Sequence, residues 1–174
     1  MSVISILPPL YYLGAKVIKL SGNLKKAIKK INKSNSYLQL DLSNCTTKEN
    51  IFYTELFPER MHDRVVSLIL PDSIETIHRA NFINLCQISG RNVLKINKYA
   101  FYNCELLQSI DFPKLTDIGE YAFADCLSLE SVDLPRMHEV DDIVFCNCKS
   151  LKTINLFKYH INEFLPDVCN ELFD

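Results

Sequence analysis

Apolar residues in the second half of the chain recur at one fixed step. Phe101, Phe123 and Phe145 lie 22 residues apart, as do Cys104, Cys126 and Cys148, and Leu107, Leu129 and Leu151. Ile110, Val132 and Ile154 share the step, and so do Phe112, Leu134 and Leu156. Five positions ahead of each Phe stands Ile96, Ile118 or Val140, and three before that Val93, Leu115 or Met137. A fixed period of this size is the signature of stacked repeats. Ser131-Val132-Asp133-Leu134 alternates polar and apolar, which predicts a half-buried strand. The other apolar positions, spaced by three, suit tight turns or 3₁₀ segments with one face inward. No single unit can bury all these faces, so stacking must create the core, as ladders of Phe, Cys, Leu and Ile/Val.

Weaker copies flank the clear ones. Ile74, Ile77 and Phe82 keep the same offsets, but Phe82 precedes Phe101 by 19 residues. This assigns Phe82 to the Phe ladder and predicts a contracted coil near Ser89-Gly90-Arg91. Val65, Leu68 and Leu70 match the strand part of a still earlier unit. Ile161, Phe164, Cys169 and Leu172 repeat the spacing of the first half of a unit, so the chain is read as ending in a partial repeat. Near the start, residues 17–22 and 37–43 read as strands. Between them Leu24, Ala27, Ile28 and Ile31 fall on one helical face, with Asn23 as N-cap and Lys33 near the helix end.

The pattern IxxxAFxxCxxLxxIxLP, clearest from Ile118 to Pro135, resembles the BspA-like, or treponemal-type, leucine-rich repeats. The segment before it resembles the strand, helix and strand that often precede such repeats. The resemblance implies an α/β repeat fold: a short right-handed leucine-rich-repeat solenoid with a β-α-β-like N-terminal cap. Residues 1–43 would form the cap and residues 44–174 the repeats. It further implies a non-catalytic protein-recognition module binding a protein partner through a repeat face, with adhesion at the cell surface as the family's common role.

Composition adds exclusions. The chain has 174 residues, 48% hydrophobic and 23% charged, which is ordinary globular composition. No apolar run reaches the about 18 residues a membrane span requires. The first 20 residues show no basic leader, and Pro8 and Pro9 break their apolar stretch, so no secretory signal is read. A natural start at Met1 would place the chain in the cytoplasm, as an intracellular scaffold subunit. Seven cysteines cannot close an intramolecular disulfide framework and are read as buried, reduced and small. The spacing of Cys146 and Cys148 is too tight for a zinc knuckle, and no phosphate loop, dinucleotide fingerprint or hydrolase motif occurs. The reading is therefore no enzyme, no cofactor and no metal, with a cysteine-dependent enzyme as the distant alternative.

Charge is distributed unevenly. Residues 1–40 hold seven lysines and no acid, while the other 134 hold 12 basic and 21 acidic side chains, so the two parts carry +7 and −9. Lys25, Lys26, Lys29, Lys30 and Lys33 make a candidate basic patch on the helix, opposite its apolar stripe. No aromatic interleaving accompanies them, which disfavours nucleic acid, and the apolar stripe lacks the bulky aromatics of a membrane-surface helix. The strand positions offer a candidate partner-binding surface: Ser109 and Asp111, Ser131 and Asp133, Thr153 and Asn155 are equivalent in successive coils. Parallel stacking would set them in rows about 4.8 Å apart. Asp117, Glu120, Glu139, Asp141 and Asp142 gather on the other side of the coil, and Tyr99, Tyr102 and Tyr121 flank the Phe positions. An incomplete last repeat would leave an apolar edge, and self-association through that C-terminal edge is expected.

Overall fold

The computed structural model describes residues 14–31, 36–80, 82–157 and 160–162. β1 (Lys16–Asn23) leads directly into α1 (Leu24–Lys29), and β2 (Leu38–Thr46) returns parallel to β1. Asn23 caps the helix by accepting from the Lys26 amide at 3.1 Å, and Leu24, Ala27 and Ile28 are buried. The helix is one turn shorter than the spacing predicts. Its chain bends at Lys30, whose amide turns back to Ala27 and Ile28, and Lys33 lies outside the described residues.

From Ile51 onward the chain winds between two parallel ladders. One contains β1 and β2, followed by β4 (Val65–Ile69), β6 (Gln87–Ser89) and β8 (Ser109–Asp111). The other runs β3 (Ile51–Tyr53), β5 (Thr76–Arg79), β7 (Lys95–Ile96) and β9 (Asp117–Ile118). Leu68 faces Ile88, which faces Ile110, while Ile77 faces Ile96, which faces Ile118. The first ladder stops at β8. Its neighbour β10 (Ser131–Leu134) pairs instead with β11 (Thr153–Leu156) in a separate sheet completed by β12 (His160–Asn162). One continuous apolar core fills the space between the ladders, from Leu24 to Ile154.

Inside that core the ladder of rings is real over three coils. Phe101 stacks on Phe123 at 4.9 Å and 4°, and Phe123 on Phe145 at 5.5 Å and 11°. The cysteines add directional bonds to their packing: the thiols of Cys126 and Cys148 donate to the carbonyls of Phe101 and Phe123, at 3.4 and 3.0 Å. Each thiol thus ties its coil to the one before.

Phe82 is not a rung of this ladder. Its ring packs with Phe52 and Phe57, at 6.5 and 5.2 Å, and against His62. The backbone gives the reason. Cys104 donates to the carbonyl of Ala80, so Ala80 occupies the place that Phe101 and Phe123 take in later coils. The Leu85 amide bonds the Phe82 carbonyl as Leu107 bonds Cys104, which puts Phe82 in the cysteine position. The short coil therefore loses its residues between Ile77 and Phe82, and not near Ser89-Gly90-Arg91, where β6 keeps regular register with β8.

The end of the array also departs from expectation. Ile161 pairs antiparallel with Ile154 instead of starting another parallel rung, because only a short connection separates β11 from β12. The expected self-association edge, with Phe164, Cys169, Leu172 and Phe173, lies outside the described residues.

Candidate functional site

The rows proposed on the strand face are divided between two sheets. Ser131 faces Thr153 and Asp133 faces Asn155 across β10 and β11, whereas Ser109 and Asp111 pair with Gln87 and Ser89 across β8 and β6. The Asn155 amide donates to the Asp133 carboxylate, so this pair attracts. Asp111, Ser131 and Asp133 are exposed; Ser109, Thr153 and Asn155 are half-buried.

The basic helix is partly engaged. Lys25, Lys26, Lys29 and Lys30 are exposed, and Lys25 lies 3.5 Å from Glu49, which ties the helix to the chain after β2. Lys19 of β1 sits 3.9 Å from Asp41 of β2. Hydrogen bonds from Ser43 hold the Asp41 carboxyl below the usual carboxylate range.

A tighter constellation forms around the tyrosines. Tyr99 and Tyr121, one coil apart, stack at 5.3 Å with ring planes 8° apart, and Tyr102 meets Tyr99 edge-on at 5.9 Å. Lys98 holds its ammonium 5.1 Å from the Tyr99 centroid and 5.9 Å from that of Tyr121, while pairing with Glu120 at 2.5 Å. That hydrogen bond raises the Lys98 pKa. The neighbouring Asp125 carboxylate pushes the Tyr102 hydroxyl up. Tyr99 and Tyr102 are each 41% exposed, and Leu94 on the same coil and Ile83 on the preceding one add exposed apolar surface.

The backbone beneath these rings is unusual. Tyr99 and Tyr121 have φ of 59° and 56°, in the left-handed region that costs a bulky residue energy. Asn103, Asp125 and Asn147 adopt the same conformation at φ 60°, 60° and 57°, but their residue types tolerate it. The Asn or Asp immediately before each ladder cysteine was a readable signal for this second set. Nothing in the spacing announces the tyrosine set, since its third member is Ile143, inside a 3₁₀ turn over Asp142–Phe145.

The thiols are poor candidates for chemistry. Cys45, Cys86, Cys104, Cys126, Cys146 and Cys148 are buried and none makes a disulfide among the described residues. Burial pushes the Cys104 thiol up to about 12 and raises Cys126 as well, the reverse of the lowered pKa a nucleophilic thiol needs. Among the described residues no three His, Cys, Asp or Glu side chains are grouped to hold a metal, and no helix is long and apolar enough to cross a membrane.

Comparison with known proteins agrees with the coil geometry. No curated protein and no solved structure matches the chain. Residues 84–170 match the BspA type leucine rich repeat region in six copies, a family whose repeats suggest protein interaction. With half its length accounted for by those copies, the chain belongs to the BspA type leucine-rich-repeat family.

Proposed function

We propose that this chain is a non-catalytic recognition module that holds a protein partner through the tyrosine-bearing face of its coils. The observation carrying this reading is the Tyr99–Tyr121 stack, Tyr99 exposed and Tyr121 half-buried, kept on left-handed backbone although each such residue costs about 1–3 kcal/mol. Strain of this kind beneath a ring that faces solvent, as Tyr99 does, brings nothing to the core. It does hold two large, rigid, amphipathic rings ready for contact, and tyrosine is among the residues that dominate protein interfaces. The exposed and half-buried strand positions from Ser109 to Asn155 form the secondary contact surface, and the lysines of α1 belong to a solvated cap. The coils wind as a short right-handed solenoid, with residues 1–43 covering one end and residues 44–174 forming the repeats. Adhesion is the role the family likeness favours. An intracellular scaffold is the second reading, supported by six buried cysteines without disulfides among the described residues, a pattern suited to a reducing compartment.

A photoactivatable cross-linker placed in turn at Tyr102, Asp133 and Lys26, in cells that naturally contain the protein, tests the reading. Discrete protein adducts should form from Tyr102, fewer from Asp133 and none from Lys26. Adducts from Lys26 alone would refute it.

A further inference from the structure

The second ladder is interrupted between two coils, and the interruption has the chemistry of a binding site. In the earlier steps each coil donates backbone amides to the one before. Leu94 and Asn97 donate to Glu75 and Ile77, and Thr116 and Gly119 donate to Leu94 and Ile96, all at 2.8–2.9 Å. Continuing that pattern would bring the amides of His138 and Asp141 to the carbonyls of Thr116 and Ile118. Among the described residues no backbone hydrogen bond joins these segments, and Glu139–Asp141 forms no strand. The coils are nevertheless held just beyond this point: Phe123 bonds Val144 at 3.0 Å and Asp125 bonds Cys146 at 2.9 Å.

Burial records the same opening. Ile77 and Ile96 are fully buried, whereas their equivalents Ile118 and Val140 are only half-buried. Between β9 and Glu139–Asp141 lies an open cleft of about 450 Å³ whose walls include Asp117, Ile118, Met137, Glu139 and Val140.

Charge explains where the ladder opens. Lys95 pairs with Asp117 and Lys98 with Glu120, each at 2.5 Å, so two cation–anion rows close the step between β7 and β9. One period further, the same rows carry Glu139 and Asp142. Attraction becomes repulsion, about 1 kcal/mol per pair at 4 Å even in water. The edge of β9 is therefore left with unbonded carbonyls between two acidic walls.

We infer that this edge accepts an extended basic segment of a partner protein, added as a fifth strand beside β9. Backbone amides of the incoming segment donate to the Thr116 and Ile118 carbonyls. Its lysine or arginine side chains lie between Asp117 and Glu139, restoring the cation missing from that row. Its apolar side chains cover Ile118, Val140 and Met137. Strand addition of this type draws affinity from main-chain bonds and selectivity from alternate side chains. The site is separate from the tyrosine face, so its failure leaves that reading standing.

The test uses the full chain and a fluorescein-labelled hexapeptide alternating lysine and valine, followed by fluorescence anisotropy at about 50 mM salt. Binding should be saturable and should weaken as salt rises. Replacing the peptide's lysines by glutamates should weaken it at least about tenfold, and so should N-methylating alternate amides with every charge kept. Glu139→Lys, at an exposed position, should also weaken binding without lowering the melting temperature, since it replaces a repulsive neighbour of Asp117 by an attractive one. If the N-methylated peptide binds as well as the parent, strand addition is wrong. If the parent peptide does not bind, the site itself is refuted, and this arm depends on no variant.

Discussion

Replacing Phe123 by alanine empties the middle rung of the three-ring stack. The side chain is fully buried between Phe101 and Phe145, at 4.9 and 5.5 Å, and the rings above and below belong to other coils. Truncating a buried Phe costs about 3–5 kcal/mol, and here the upper half of that range applies because the flanking rings are fixed by their own coils and cannot collapse into the void. A milder pair of substitutions isolates the stacking itself. Phe101→Leu and Phe123→Leu, singly and together, should show a coupling of about 0.5–1.5 kcal/mol in urea melts. Phe82→Leu with Phe101→Leu should be additive within about 0.5 kcal/mol, since Phe82 packs with Phe52 and Phe57 in a separate cluster. Equal coupling in both cycles would mean that Phe82 is a ladder rung after all, and the assignment of Ala80 to that register would fall.

Three further outcomes follow from the geometry. Gly119→Ala would place a Cβ 2.4 Å from the Lys98 backbone nitrogen and 2.9 Å from Lys98 Cα, so thermal melts should show a loss of about 1–3 kcal/mol; Gly14→Ala, with nothing within 4 Å, should show none. Cys104 and Cys126 should resist alkylation in native protein at pH 8 and react fully in denaturant, because burial raises both thiols; rapid native labelling of either would contradict the core assignment. Tyr99→Asn exchanges a strained left-handed tyrosine for a residue that tolerates φ 59°, offsetting about 1–3 kcal/mol of strain against about 0.5–1.5 of lost stacking. Stability should hold or rise while cross-linking from Tyr102 disappears, and a loss beyond about 2 kcal/mol would make the tyrosine structural.

The repeat was legible because Phe, Cys, Leu and Ile/Val keep step together, and the strand at Ser131–Leu134 falls where the alternation predicts it. The first cap strand and the helix start were legible for the same kind of reason: an apolar stripe and an Asn that caps. Phe82 misled because spacing aligns like with like, whereas register is decided by which carbonyl a neighbouring coil can reach, and Ala80 offers it. Residue type could not show that the cysteines bond carbonyls across coils, nor that Tyr99 and Tyr121 stand on left-handed backbone. The open step at β9 hid behind regular apolar spacing, since Met137 and Val140 keep the period. The charges in the same rows carried the signal, which becomes readable only once Lys95, Asp117 and Glu139 are known to be neighbours in successive coils.

Amide hydrogen exchange on the native full chain, resolved residue by residue, tests the stacked-coil account most directly. Exchange reports which backbone donors are held by an adjacent coil. The account predicts slow exchange at Asn97, Thr116 and Gly119, whose amides bond the preceding coil at 2.8–2.9 Å, and at Phe123 and Asp125. It predicts fast exchange at His138 and Asp141, where the ladder is open. Protection at His138 and Asp141 equal to that at Thr116 and Gly119 would contradict the open step, and fast exchange throughout would contradict the stacked coils themselves.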